Sequence, residues 1–95
     1  MDELAQRVSK VLHDAAETHH VVFKIVDGAD DDWASWYSDW LVNLSPLAEA
    51  LGTQLVRSEL TYVLVRLEKE YSDQKPDERW EDFYARGLLS YFSPA

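Results

Sequence analysis

Asp30-Asp31-Asp32-Trp33-Ala34-Ser35-Trp36-Tyr37-Ser38-Asp39-Trp40-Leu41-Val42-Asn43-Leu44 is the stretch on which the fold turns, and it holds three of the four tryptophans. Trp33, Trp36, Tyr37, Trp40, Leu41 and Leu44 recur at the three- and four-residue steps that gather side chains on one face of an α-helix. The three aspartates ahead of them suit a helix N-terminus, where unpaired N–H groups and the helix dipole favour negative charge. A ring of this size can cover roughly 150–250 Å². The stretch is therefore expected to be the core helix of a small all-α domain.

The flanks read as helices too. Leu4, Val8, Val11, Ala15, His19, Val22 and Val26 step along one face, with Asp2 and Glu3 in the first turn. The β-branched run from Val21 to Val26 would also fit a short strand, but no second strand pattern exists to pair with it. The helix is thus expected to run to about residue 26, with Gly28 as its C-cap. Ser45-Pro46 is a start signal for a short helix, Leu47 to Leu51, that Gly52 ends. Ser58 is the expected cap of the next helix. Leu60, Val63, Leu64, Leu67 and Tyr71 form its stripe, widened by Tyr62 and Val65, so two neighbours are expected to flank it. Arg66 and Glu70 are spaced to pair on its outer side. Ser72 to Asp77 is a polar break, and a last helix is expected from Asp77 or Glu78, with Trp80, Phe83, Tyr84, Gly87, Leu88 and Tyr91 on one face. Gly87, unfavourable inside a helix by about 1 kcal/mol relative to alanine, is expected to permit close approach of a neighbour. The sum is one domain over residues 1–95, a compact antiparallel bundle of four main helices plus a short one.

Composition narrows the function. The chain has 95 residues, no cysteine and a formal charge of −9. Disulfides, thiol chemistry and cysteine-bound metals are excluded, and one core suffices at this length. Ten acidic side chains against three basic ones in residues 1–50 make the first half the more negative. Phosphate backbones and anionic lipids would be repelled, so neither nucleic acid nor membrane is an expected partner. No run approaches the roughly 20 apolar residues that span a bilayer. The acidic Met1-Asp2-Glu3-Leu4 does not resemble a signal peptide, and a cytoplasmic protein is expected.

The run Asp31-Asp32-Trp33-Ala34-Ser35-Trp36-Tyr37, with Arg57-Ser58-Glu59-Leu60-Thr61-Tyr62 and Trp80-Glu81-Asp82-Phe83-Tyr84-Ala85-Arg86, resembles a family of small uncharacterised bacterial proteins. Its marks are a His-His pair, an acidic-Trp-x-x-Trp-Tyr segment, a Ser-Glu-Leu-x-Tyr segment and a Tyr-Ala-Arg segment. The resemblance spans roughly residues 15–92 and implies family-typical positions for His20, Asp32, Trp33, Trp36, Tyr37, Ser58, Glu59, Tyr62, Tyr84 and Arg86. It implies no activity.

Metal binding is weakly supported by the residues themselves. His13, His19 and His20 with Asp27 and Asp30 to Asp32 offer ligand types, but adjacent histidines on a helix point about 100° apart, and the aspartates lack the EF-hand alternation. No metal and no cofactor are expected. No Gly-x-Ser-x-Gly motif or glycine-rich phosphate loop is present either. What remains is a set of polar residues inside apolar faces. His20, Asp32, Glu59, Tyr62, Tyr84 and Arg86 can gather beside Trp33, Trp36 and Tyr37 at one end of the bundle. The expected function is a non-enzymatic binding or interaction module using this aromatic helix and polar cluster, toward an unknown protein partner or a second copy. The alternative is a small-ligand pocket or active site at His20, Glu59, Tyr62 and Arg86, with Arg86 paired to Asp32 or Glu59 if the cluster is merely structural.

Overall fold

Small side chains, not large ones, set how closely the aromatic helix packs. In the computed structural model, which describes residues 3–23 and 33–92, five helices follow in order: α1 (Glu3–Phe23), α2 (Trp33–Leu44), α3 (Leu47–Leu51), α4 (Arg57–Gln74) and α5 (Trp80–Tyr91). No strand occurs among the described residues. The α1 C-terminus beyond Phe23, the proposed Gly28 cap and the aspartates before Trp33 lie outside them.

The buried face of α2 is Ala34, Ser38 and Leu41. This corrects the expectation in part: Leu41 of the expected face is core, but Ala34 and Ser38, not the rings, fill the rest of the buried face. Trp33, Tyr37 and Trp40 are half-buried and pack against the rim of the core, while Leu44 is 71% exposed. The reason is steric. A short helix in a small bundle cannot seat several large rings against its neighbours at ordinary spacing of about 8–10 Å between axes. Ala34 and Ser38 bring the α2 backbone in, and the rings spread along the flank. Ser38 is completely buried; its hydroxyl donates to the Ala34 carbonyl at 2.8 Å and lies 2.7 Å from the Thr61 hydroxyl of α4. A buried hydroxyl that both donates and accepts leaves no polar group without a partner.

Side-chain pairs give the chain directions. Arg57 meets Asp39, Thr61 meets Ser38, and Leu64 shares a cavity with Tyr37, so α4 runs antiparallel to α2. Tyr71 packs on Phe83, Leu67 abuts Gly87 and Glu59 meets Tyr91, so α5 runs antiparallel to α4. The expected flanking of α4 by two helices is realised. Its buried stripe is Leu60, Val63, Leu64 and Leu67; Tyr62 and Val65 face outward instead. Helix α1 closes the bundle with Val8, Val11, Leu12 and Ala15.

The helix ends follow local chemistry with small shifts. The Ser45 hydroxyl accepts from the Leu47 N–H at 3.2 Å, which serves the start of α3. Gly52 ends that helix with φ 71°, and its N–H reaches the Ala48 and Glu49 carbonyls. Only glycine takes that conformation without a Cβ penalty. Helix α4 begins before Ser58, with Val56 in extended conformation ahead of it, so Ser58 sits in the first turn and caps nothing. It also runs further than the polar composition implied, to Gln74, and Pro76 bars its continuation. The connection to α5 is held by Tyr71, whose hydroxyl donates to the Glu78 carbonyl at 2.9 Å. That displaces the start of α5 to Trp80.

Candidate binding cavity

The four long helices each send a pair of side chains, spaced along one face, to a single recess. From α2 come Trp33 and Tyr37, and from α5 come Trp80 and Tyr84. Both are i, i+4 pairs, which an α-helix stacks one turn apart. Helix α4 gives Leu64 and Glu68 by the same spacing, and α1 gives Leu12 and His19 two turns apart. The recess has a volume of about 230 Å³. Leu12 and Leu64 are fully buried and close its inner end, while Glu68 is solvent-exposed at the rim.

The rings stand nearly edge-on to one another. Trp33 and Tyr37 have centroids 6.1 Å apart with planes at 77°, and Trp80 and Tyr84 are 5.3 Å apart at 83°. Such T-shaped contacts place the positive edge of one ring on the negative face of the next. Each pair is therefore a rigid corner, and no one plane holds all four rings. Behind the α2 corner, the His19 ring lies 5.1 Å from Tyr37 and 4.9 Å from Trp36. Trp36 thus supports the wall rather than lining it.

The polar atoms of the recess are few. Glu68 accepts from the Ser72 hydroxyl at 2.7 Å, and among the described residues no lysine or arginine pairs with it. Burial pushes the Tyr84 hydroxyl well above the usual tyrosine range, and the nearby Glu68 carboxylate adds to the effect. Tyr84 consequently stays a neutral O–H group. Among the described residues that line the recess there is no Ser, Thr, Cys or Lys.

The nine residues singled out from sequence are split by the structure. Trp33, Tyr37 and Tyr84 meet at the recess, with Trp36 behind them. Asp32 lies outside the described residues. His20 is exposed on α1, and it is the neighbouring His19 that lines the wall. Glu59, at the start of α4, receives the Tyr91 hydroxyl at 3.4 Å on another face; Tyr62 is 59% exposed. Arg86 is on the outer side of α5, ion-paired with Glu78 and 5.8 Å over the Phe83 ring. Its acidic partner is Glu78 and not the expected Glu59, and the other expected partner, Asp32, lies outside the described residues. The proposed set of His20, Glu59, Tyr62 and Arg86 therefore does not converge.

Sequence reading missed His19, Glu68 and Trp80 as lining residues. Their signal was present: each stands at i+4 or i+7 from an apolar partner in the wall. What spacing cannot give is which of four such faces meet.

A second polar constellation joins α1 to α5. Ser9, nearly buried, donates to Asp82 at 2.8 Å and holds that carboxyl below its usual range, with Arg79 helping. One turn on, His13 has Glu81 3.1 Å from Nδ1 and Glu17 3.0 Å from Nε2. Glu81 is only 7% exposed. The two acids address opposite ring nitrogens, so they share no point at which an ion could sit, and among the described residues no group of three His, Asp or Glu is placed to hold a metal. None of the described helices is long and apolar enough to cross a membrane.

Comparison with known proteins adds no relative: no family model, no curated protein and no solved structure matches the chain.

Proposed function

We propose that the chain is a small cytoplasmic, non-enzymatic binding protein whose ligand seats in the aromatic recess between α1, α2, α4 and α5. One observation carries this reading: four helices converge aromatic and apolar side chains on a space they leave open. Protein interiors pack to a density of about 0.75 with few voids larger than a water molecule. Apolar surface left wet forgoes about 25 cal/mol for each Å². A ligand of matching shape recovers that stabilisation when it binds. At about 230 Å³ the recess is smaller than the roughly 300–1,000 Å³ typical of drug-sized ligands, so it fits a small molecule or a single chemical group. Among the described residues the lining holds no Ser, Thr, Cys or Lys, and Tyr84 is held in its neutral form, which supports binding over hydroxyl, thiol or amine chemistry.

The test is a fragment screen by protein-observed NMR on the parent and on Leu64→Phe, which fills the inner end of the recess. Fragments should shift the indole and ring signals of Trp33, Tyr37, Trp80 and Tyr84 in the parent and not in the variant. The variant must keep its helical circular dichroism. No hits, or hits that survive the filling, would remove the recess as the functional site.

A second reading has its own observation. Tyr62, Val65 and Tyr91 are exposed where the start of α4 meets the end of α5, and such rings are enriched at protein interfaces. This supports self-association through that face. Light scattering across a range of protein concentrations should then show a dimer that Tyr62→Lys dissociates; a monomer throughout would discard it.

A further inference from the structure

We propose that the recess receives a small free organic cation whose nitrogen carries alkyl groups in place of hydrogens. This rests on the reading that the recess is a ligand site and names the ligand's chemistry. The negative faces of indole and phenol rings attract a cation within roughly 6 Å of the ring centroid, most strongly where water is excluded. Trp33, Tyr37, Trp80 and Tyr84 supply four such rings in two perpendicular pairs, so rings of different orientation border the recess. Glu68 stands at the rim with no cationic side chain paired to it among the described residues. Beyond the rim, the formal charge of −9 draws cations in and turns anions away.

The alkyl substituents follow from what the wall lacks. A primary ammonium brings three N–H donors, each needing an acceptor once it leaves water. Its buried end offers the carbon of Leu12 and Leu64, while the acceptor Glu68 stands at the exposed rim. A quaternary nitrogen has no N–H to satisfy and presents methyl groups to those walls. The ligand is a free molecule, because a recess of about 230 Å³ holds little more than the cation itself, and among the described residues none of the large exposed apolar side chains lines it.

Calorimetric and tryptophan-fluorescence titrations test this with four probes: tetramethylammonium, choline, the neutral isostere of choline with carbon at the nitrogen position, and a peptide bearing trimethyl-lysine. Choline and tetramethylammonium are expected to bind about tenfold or more tightly than the neutral isostere, the scale of one desolvated cation–ring contact. Glu68→Gln, an exposed and isosteric change, should weaken the cations about fivefold and leave the isostere unchanged. Equal affinity for choline and its isostere would overturn the cation proposal while leaving the recess a binding site. Binding of the peptide alone would overturn the free-ligand assignment. If no probe binds, and the fragment screen is also empty, both readings fall together.

Discussion

At the scale of single residues, His13 makes the clearest physical statement in the molecule. Carboxylates only accept hydrogen bonds, so an imidazole with an acid on each nitrogen is satisfied fully when both nitrogens carry protons. The hydrogen bond to Glu81 raises the His13 pKa above 6.5, opposed in part by burial and assisted by Glu17. The folded protein therefore holds this proton more tightly than the unfolded chain does. Its contribution to stability is complete below pH 6.5 and is lost as pH rises through the higher folded value. Denaturant titrations from about pH 5.5 to 8.5 should show stability falling across that window, and His13→Gln should flatten the fall. A parent profile that rises with pH there, or a variant profile with the same slope, would exclude His13 as the origin. The pairing itself was illegible in the sequence, because Glu81 is 68 residues away and reads there only as an acid in a first helical turn.

At the scale of elements, the α4–α5 contact depends on one missing methyl group. A Cβ at Gly87 would collide with Leu67 Cδ2 and stand 3.1 Å from Cδ1 and 3.3 Å from Cγ. Two effects oppose each other in Gly87→Ala: the helix gains about 1 kcal/mol of propensity, while an overpacked contact costs roughly 1–3 kcal/mol. Leu67 is buried and meets the added Cβ with three side-chain atoms, so the contact should win and the variant should lose up to about 2 kcal/mol. In a Leu67→Ala background the collision vanishes, and the same substitution should become stabilising by up to about 1 kcal/mol. Urea denaturation of the four proteins decides it; the same sign in both backgrounds would show that Gly87 is not there for Leu67.

This contact marks what kind of structure the sequence discloses. A glycine inside an otherwise regular helical stripe signals close approach, and Gly52 after Leu51 signals a helix end; both readings are realised. Polar composition is a weaker guide. It placed the end of α4 too early, since Ser72, Asp73 and Gln74 are solvated helical residues. Periodicity located α2 and its buried Leu41 but gave the rest of the core to the rings. Trp33, Tyr37 and Trp40 are adjacent to Ala34, Ser38 and Leu41 in sequence, so both stripes run along one helix about 100° apart. Hydrophobicity favours the rings, and only the available space favours alanine and serine. The recess inherits that ambiguity, because the rings displaced from the core are the ones that wall it.

At the scale of the whole molecule, charge and recess can be separated by choice of salt. A formal charge of −9 on 95 residues makes the folded state repel itself, and the repulsion is screened as ionic strength rises. Screening also weakens the surface ion pairs, such as Lys10–Asp14 at 3.1 Å and Arg66–Glu70 at 3.4 Å. Each of these is exposed and only weakly stabilising, so their loss is the smaller effect. Raising sodium chloride from about 0.01 to 0.5 M, which shortens the screening length from about 30 Å to a few Å, should therefore raise Tm. Tetramethylammonium chloride at equal ionic strength screens equally but also occupies the recess, and a ligand that binds only the folded state adds stability as its concentration exceeds Kd. Its Tm gain should exceed that of sodium chloride, by an excess that Glu68→Gln reduces and that Trp33→Leu, which removes one of the attracting rings, also reduces. A Tm that falls with sodium chloride would show that the ion pairs outweigh the self-repulsion. An excess unchanged in both Glu68→Gln and Trp33→Leu would place the cation elsewhere on the acidic surface, and the rings of α2 and α5 would then need another occupant.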